Sequence, residues 1–292
     1  MLDNENIIKV PTPIVEIFDD LLIEKQVRVF VKQDYLTHKE VSGNKWRKLK
    51  YNLIEAKKLD KNTLVSFGGA YSNHIHALAA ASHYFGFQSI GIIRGDELNE
   101  SSSKTLRFAA EKGMKLYFID RTSYRHKDIS CVKNQENCYL VPEGGSNELA
   151  LLGVAEMVEE IYQNISPDYI CCAMGTGGTV AGILSSKLNT AKTIGFSVLK
   201  GGNFLMNEVE NFLQAKPQNF ELETNYHFGG YGKFNTVLEQ FIENFEEQHQ
   251  IPLDPIYTGK LFYGVMDKIR NGDFESNSKI LLIHTGGLQG KK

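Results

Sequence analysis

The stretch "SGNKWRKLKYNL", Ser42 to Leu53, sets Lys45, Arg47, Lys48 and Lys50 within six positions behind a Ser-Gly-Asn turn. Trp46, Leu49, Leu53 and Ala56 follow at helical spacing, so the cluster opens a helix. The dipole at that end disfavours cations. Either the cluster is a solvated surface turn, or one of its lysines is held there for chemistry.

A second candidate is "CCAMGTGGTVAGIL", residues 171–184. An apolar strand runs into Gly175, Thr176, Gly177, Gly178 and Thr179, and a helix of small residues follows. Glycines let backbone N–H groups turn inward, and the helix N-terminus and two hydroxyls add to an anion cradle. Walker A would need Gly-Lys-Ser/Thr, which is absent. A dinucleotide fingerprint would need glycine at Val180 and an acid about 20 residues on, where the chain reads "IGFSVLKGG". The loop therefore suits one phosphate, or else a tight turn whose glycines serve packing alone.

A third junction is "SFGGAYSNHIHALAAA", residues 66–81. Ser72 fits an N-cap, with Asn73 and His74 in the first turn. This is a capped helix, or a receptor in which hydroxyl, amide and free N–H groups take a carboxylate. No nucleophile elbow occurs and no cysteine neighbours a histidine in sequence. His74 and His76 diverge on a helix, which argues against a metal pair. "GGYGKFN" (229–235), "LDPIYTGKLFYG" (253–264) and "HTGG" (284–287) read singly as glycine turns or a Pro-flanked strand exit.

These loops need a frame to bring them together. Strands at "VRVFVKQD", "TLVSF", "QSIGIIRG", "KLYFID", "YLVPEGG", "DYICCAM", "TIGFSV" and "KILLIHTGG" alternate with helices. Such alternation predicts open parallel sheets covered by helices, with ligands at the carboxyl ends of strands. The strand count favours two sheets over one. The division expected is a small α/β domain over residues 48–138 and a discontinuous large domain from 1–47 and 139–292, with "RTSYRHKDISCVKNQENC" as the linker between them.

At 292 residues, 42% hydrophobic and 23% charged, the chain can bury a sizeable core. Its formal net charge of −3 gives no reason to expect nucleic acid or an anionic membrane as partner. The four cysteines form no C-x-x-C, so neither a zinc site nor a disulfide framework is expected. "MLDNENIIKVPTP" is too polar for a signal peptide and no apolar run is long enough to span a membrane. A cytoplasmic setting with reduced thiols is expected.

Taken in order, "SGNKWRK", "GGAYSNH", "VPEGGSNELALLG", "MGTGGTVAG", "GGYGK", "LDPIYTGK" and "HTGG" resemble the pyridoxal-phosphate enzymes of the 1-aminocyclopropane-1-carboxylate (ACC) deaminase / D-cysteine desulfhydrase family, of the tryptophan-synthase-β-like fold group. The resemblance runs from about residue 9 to the C-terminus. It implies two α/β domains with pyridoxal 5'-phosphate between them, and a homodimer.

By that resemblance, Lys45 holds the cofactor as a Schiff base, which requires its pKa to fall below the usual value of about 10.4. Lys48 and Gly175–Thr179 share the phosphate. Ser72, Asn73 and His74 cradle the carboxylate of a small amino-acid substrate, with Asn73 also near the cofactor. Tyr257 faces the ring, Thr258 bonds its nitrogen, Tyr231 closes over the substrate, and Thr285 is on the substrate side. Arg47 and Lys50 receive no site role.

ACC deaminases typically carry Tyr-Glu where this chain has Tyr257-Thr258, and Leu where it has Thr285. A neutral hydroxyl suffices where thiolate leaves, so both positions match the desulfhydrase pattern. The expected reaction is α,β-elimination, with D-cysteine giving pyruvate, ammonia and sulfide. ACC deamination, elimination from another β-substituted amino acid, and cofactor binding without catalysis are the rivals. Two departures from the family stand out. His76 occupies a position that is often Arg, and the segment between Asp120 and Tyr139 is short.

Overall fold

The computed structural model describes residues 2, 5–132 and 135–291. In chain order the strands are β1 (Ile14–Ile17), β2 (Arg28–Lys32), β3 (Thr63–Gly68), β4 (Gln88–Arg94), β5 (Lys115–Ile119), β6 (Cys138–Leu140), β7 (Tyr169–Met174), β8 (Lys192–Ser197), β9 (Phe220–Glu223) and β10 (Lys279–Ile283). The α-helices are α1 (Asp20–Glu24), α2 (Asn44–Lys58), α3 (Asn73–Phe85), α4 (Lys104–Glu111), α5 (Arg121–Arg125), α6 (Glu148–Tyr162), α7 (Gly178–Ser185), α8 (Leu205–Leu213), α9 (Thr236–His249) and α10 (Thr258–Arg270).

Two sheets form, in the orders β1-β2-β10-β7-β8-β9 and β5-β4-β3-β6. Only the edge pair β1–β2 is antiparallel among the described pairings. The central strands of the larger sheet read as unbroken apolar runs because helices cover both faces. Val29, Val31, Leu282 and Phe196 pack with Leu238, Leu261, Phe262 and Val265 of α9 and α10. Phe30, Leu281, Ile283 and Met174 pack on the other face with Val154, Met157 and Val180 of α6 and α7.

In the smaller sheet's layer, Trp46, Leu49 and Leu53 of α2 share a core with Leu64, Leu78 and Leu106. The cap expected at Ser72 is present, its Oγ accepting from the Ile75 N–H, and Gly86 closes α3 in the left-handed conformation. Two expectations need correction. The 121–138 stretch is more than a linker. Asp120 caps α5, and Tyr124 and Val132 are buried against Val65, Phe67 and Ile92, covering the sheet's second face. The boundary at 138/139 also falls inside β6, whose pairing with β3 carries the smaller sheet to Leu140. The strand "YLVPEGG" is short for the same reason, since Glu143–Gly145 turns away as a 3-10 helix. β1 and β9, too short and mixed for a periodic signal, are edge strands that the alternation did not single out.

Candidate active site

The carboxyl ends of both sheets face one cavity of about 620 Å³. Lys45 and Lys48 enter it from the first turns of α2. The entry is fixed by Gly43, at φ +61°, where any Cβ would fall 2.1 Å from the Thr285 carbonyl oxygen. That oxygen accepts from the Asn44 N–H at 3.2 Å, so the loop after β10 and the start of α2 are pinned together.

Lys45 is half-buried. Its Nζ donates to Asn44 Oδ1 at 3.0 Å, and the Asn44 amide in turn donates to Thr179 Oγ1 at 3.0 Å. Burial, opposed by weaker interactions with Cys172 and Asp254, lowers the Lys45 pKa to about 8. Lys48 is buried, with Nζ 2.9 Å from Ser146 Oγ and 3.4 Å from the Gly144 carbonyl. Burial and then the Lys45 charge press its pKa well below the ordinary lysine value. Ser146 continues to Thr176 Oγ1 at 3.2 Å, linking Lys48 to the glycine loop.

Gly175, Thr176, Gly177 and Thr179 line the cavity. Gly178 stands just behind the wall as the first residue of α7, and a Cβ on it would lie 2.4 Å from Ser146 Oγ and 3.3 Å from Lys48 Nζ. Gly177, at φ +79°, aims the first N–H groups of α7 at the same space. Both lysines and a helix N-terminus thus converge where an anion is to be held.

Ser72, Asn73 and His74 line the opposite side. The Ser72 cap leaves its hydroxyl proton free to donate, and Asn73 Nδ2 would meet a Gly287 Cβ at 3.2 Å, joining the two sheets' loops across the cavity. His74 is buried, with Nε2 2.8 Å from Ser66 Oγ. Burial, then the charges of Lys45 and Lys48, lowers its pKa to about 3, so it is a neutral imidazole and serves a carboxylate only as an N–H dipole. His76 is off the wall, stacked on Phe108 at 3.8 Å and kept neutral by burial, with a pKa of about 4.

Tyr231, Tyr257 and Thr285 also reach the cavity. The two tyrosine rings meet edge to face at 5.9 Å. Burial, then Tyr231, raises the Tyr257 pKa. Thr258 is the first residue of α10. Its hydroxyl is buried, donates to Asp254 Oδ2 at 2.6 Å and accepts from the Asp254 N–H at 2.9 Å. The Asp254 carboxylate in turn accepts the Tyr257 and Thr258 N–H groups, and Thr258 is not among the residues lining the cavity.

These features match a known family. Residues 8–199 fit the model described as "Pyridoxal-phosphate dependent enzyme". The chain belongs to the pyridoxal-phosphate-dependent enzymes. An Arabidopsis thaliana relative, a mitochondrial bifunctional D-cysteine desulfhydrase/1-aminocyclopropane-1-carboxylate deaminase, is 32% identical over 90% of this chain and 73% of its own. A Pyrococcus horikoshii protein carrying the provisional name 1-aminocyclopropane-1-carboxylate deaminase is 31% identical over 90% of this chain and 85% of its own. A crystal structure titled as an ACC deaminase homologue superposes with a TM-score of 0.82 at 30% identity, covering 97% of this chain and 91% of that one. The fold is the tryptophan-synthase-β-like fold type II of such enzymes.

The residues present fit pyridoxal phosphate. Lys45 is a cavity amine whose lowered pKa leaves it partly neutral near pH 8, as attack on an aldehyde requires, and unlike Lys48 it is not tied to the Ser146 hydroxyl. A glycine-relaxed loop at a helix N-terminus, backed by Lys48, suits the phosphate. Tyr257, within 3.2 Å of a Cβ placed on Gly175, offers a flat ring beside that loop.

Three members of the site escape sequence reasoning. Asn44, Ser146 and Asp254 act through side-chain bonds to other site residues rather than by lining the motif that named them. "GGSN" and "LDP" flag turns there, but only the folded loops show which hydroxyl, amide or carboxylate faces which partner. Arg47, read as a bland surface residue, is instead buried and paired with Asp34 and Glu160 at 2.9 and 2.6 Å. It anchors the helix that carries Lys45.

Proposed function

We propose that the protein catalyses α,β-elimination from a small amino acid, with D-cysteine and water giving pyruvate, ammonia and hydrogen sulfide. The observation that carries this reading is the Lys45 amine, set in the cavity with one hydrogen bond and a pKa of about 8. A base of that pKa exchanges protons with a carbon acid near neutral pH.

When bound, pyridoxal phosphate supplies the electron sink that makes the substrate's α-proton acidic. Lys45 would hold its aldehyde carbon until the substrate's amino group takes its place and frees the amine, and Lys48 with the N–H groups of Gly175–Thr179 would hold its phosphate. Ser72, the Asn73 amide and the first-turn N–H groups of α3 receive the substrate carboxylate. Lys45 Nζ takes the α-proton, and the β-sulfur leaves with the bonding pair and picks up a proton. Tyr231 covers the substrate and limits the entry of water. Hydrolysis of the released enamine completes the products.

D-cysteine is favoured by the neutral pair Tyr257-Thr258, since a thiolate can depart without an acid at that position. Asp254 beside it is committed to four donors: the N–H groups of Ile256, Tyr257 and Thr258, and the Thr258 hydroxyl. The names of the relatives favour a second reading, in which ACC and water give α-ketobutyrate and ammonia. Incubating the loaded protein separately with D-cysteine, L-cysteine and ACC decides between them. Sulfide with pyruvate from D-cysteine is the expected result. α-Ketobutyrate alone would replace it with the second reading, and bound cofactor with no product would reduce the protein to a carrier. Self-association as a homodimer belongs to the same reading and is checked by sedimentation.

A further inference from the structure

Lys260 lies one turn beyond Tyr257 on α10, with 2% of its surface exposed. Its Nζ donates to the Gly230 carbonyl at 2.8 Å, and among the described residues that is the one hydrogen bond its ammonium makes. A buried ammonium facing a neutral carbonyl is an expensive arrangement, and an apolar side chain of similar volume would pack there at less cost. The retained lysine therefore calls for a reason beyond packing.

The segment it holds supplies one. Gly229, Gly230 and Gly232 all have positive φ, at +94°, +118° and +70°. The segment lies outside any strand or helix, and its internal ties are turn bonds from Gly230 N to His227 O at 3.0 Å and from Lys233 N to Gly230 O at 3.1 Å, with the Gly229 N–H donating to His227 Nδ1 at 2.9 Å. Tyr231 sits on it, 49% exposed and edge-on to the Tyr257 ring. Lys260 thus fastens the loop bearing one tyrosine to the helix that starts at the other.

We propose that Lys260 is a positioning residue that fixes Tyr231 over the active-site cavity, so that the two tyrosines act as one unit set by α10. This rests on the elimination reading for its kinetic arm only. Lys260→Met keeps the bulk and removes the donor. In the chain without cofactor, amide hydrogen exchange at residues 229–233 rises at least tenfold in this variant, while β7, β8 and the C-terminal half of α10 keep their protection. In the loaded enzyme, Lys260→Met and Tyr231→Phe each lower kcat/KM, and the double variant loses no more than the worse single one. Cofactor affinity and visible absorbance stay unchanged. Unaltered exchange at 229–233, or losses that multiply in the double variant, would overturn the proposal. If Lys260→Met fails to fold, the same two measurements on Lys260→Gln decide it. A wild-type protein that binds no pyridoxal phosphate sinks the functional reading and leaves the exchange arm intact.

Discussion

Asn44 accepts a 3.0 Å hydrogen bond from the Nζ of the next residue, Lys45, and donates from the other end of its amide to Thr179. The amine's direction is thereby set by the glycine loop on the far side of the cavity. Lys45→Ala is expected to abolish the visible absorbance of bound cofactor and to cut turnover by at least about 10²–10⁴-fold, the usual worth of a placed base. Retention of both would remove Lys45 from its role.

Burial lowers the Lys45 pKa to about 8 from an ordinary lysine value of about 10.4. Between those values the unfolded chain binds more protons than the folded one, so this group makes stability rise with pH. Without cofactor, Lys45→Met is expected to melt above the wild type at pH 7, and the gap should close by pH 10. Labelling of Lys45 by an amine-selective reagent should accelerate through pH 8 and level off above it. A labelling midpoint near 10 would show that the amine is solvated.

Gly178 has no room for a side chain between Ser146 and Lys48. Overpacking of this kind costs about 1–3 kcal/mol. Gly178→Ala should therefore weaken pyridoxal phosphate binding by roughly tenfold or more, read by fluorescence titration. Unchanged affinity would place the phosphate elsewhere.

Arg47 bonds both Asp34 and Glu160 inside the protein. Burial pushes the Asp34 carboxyl up, but Arg47 and Thr12 overcome it and hold its pKa below the usual value. Arg47→Met takes the paired cation from the buried Asp34 carboxylate, while the half-buried Glu160 keeps Lys32 at 2.6 Å, and should cost about 3–5 kcal/mol in urea unfolding. Since Arg47 holds Asp34 below its unfolded pKa, that share of stability is lost as pH falls through the acid range; without Arg47 burial pushes the carboxyl up, so the gap between variant and wild type should narrow as the pH falls.

Much of this site is visible in the chain because its cues are local. Ser72 before "NHIHALAAA", Gly86 after it, and glycines at 175, 177 and 178 each act within one turn, and the folded elements start and stop at those places. The strand-end rule also brings "GGAYSN", "MGTGG" and "HTGG" to one cavity. What stays hidden depends on partners far along the chain. Nothing near Arg47 announces Asp34 and Glu160, 13 and 113 residues away. Tyr124 and Val132 sit in a polar stretch whose weak periodicity conceals the sheet face they cover.

The two sheets divide the proposed labour unequally. α7, Tyr257 and the start of α2 present the groups assigned to the cofactor, whereas Ser72, Asn73 and His74 are carried by the cap and first turn of α3, after β3 of the smaller sheet. In the proposed reading the smaller sheet grips the substrate's carboxylate, while the larger one holds the cofactor and the tyrosines that face the rest of the substrate. Transplanting residues 63–140 from a relative should therefore alter KM through the carboxylate grip and leave the preference between D-cysteine and ACC with Tyr257-Thr258.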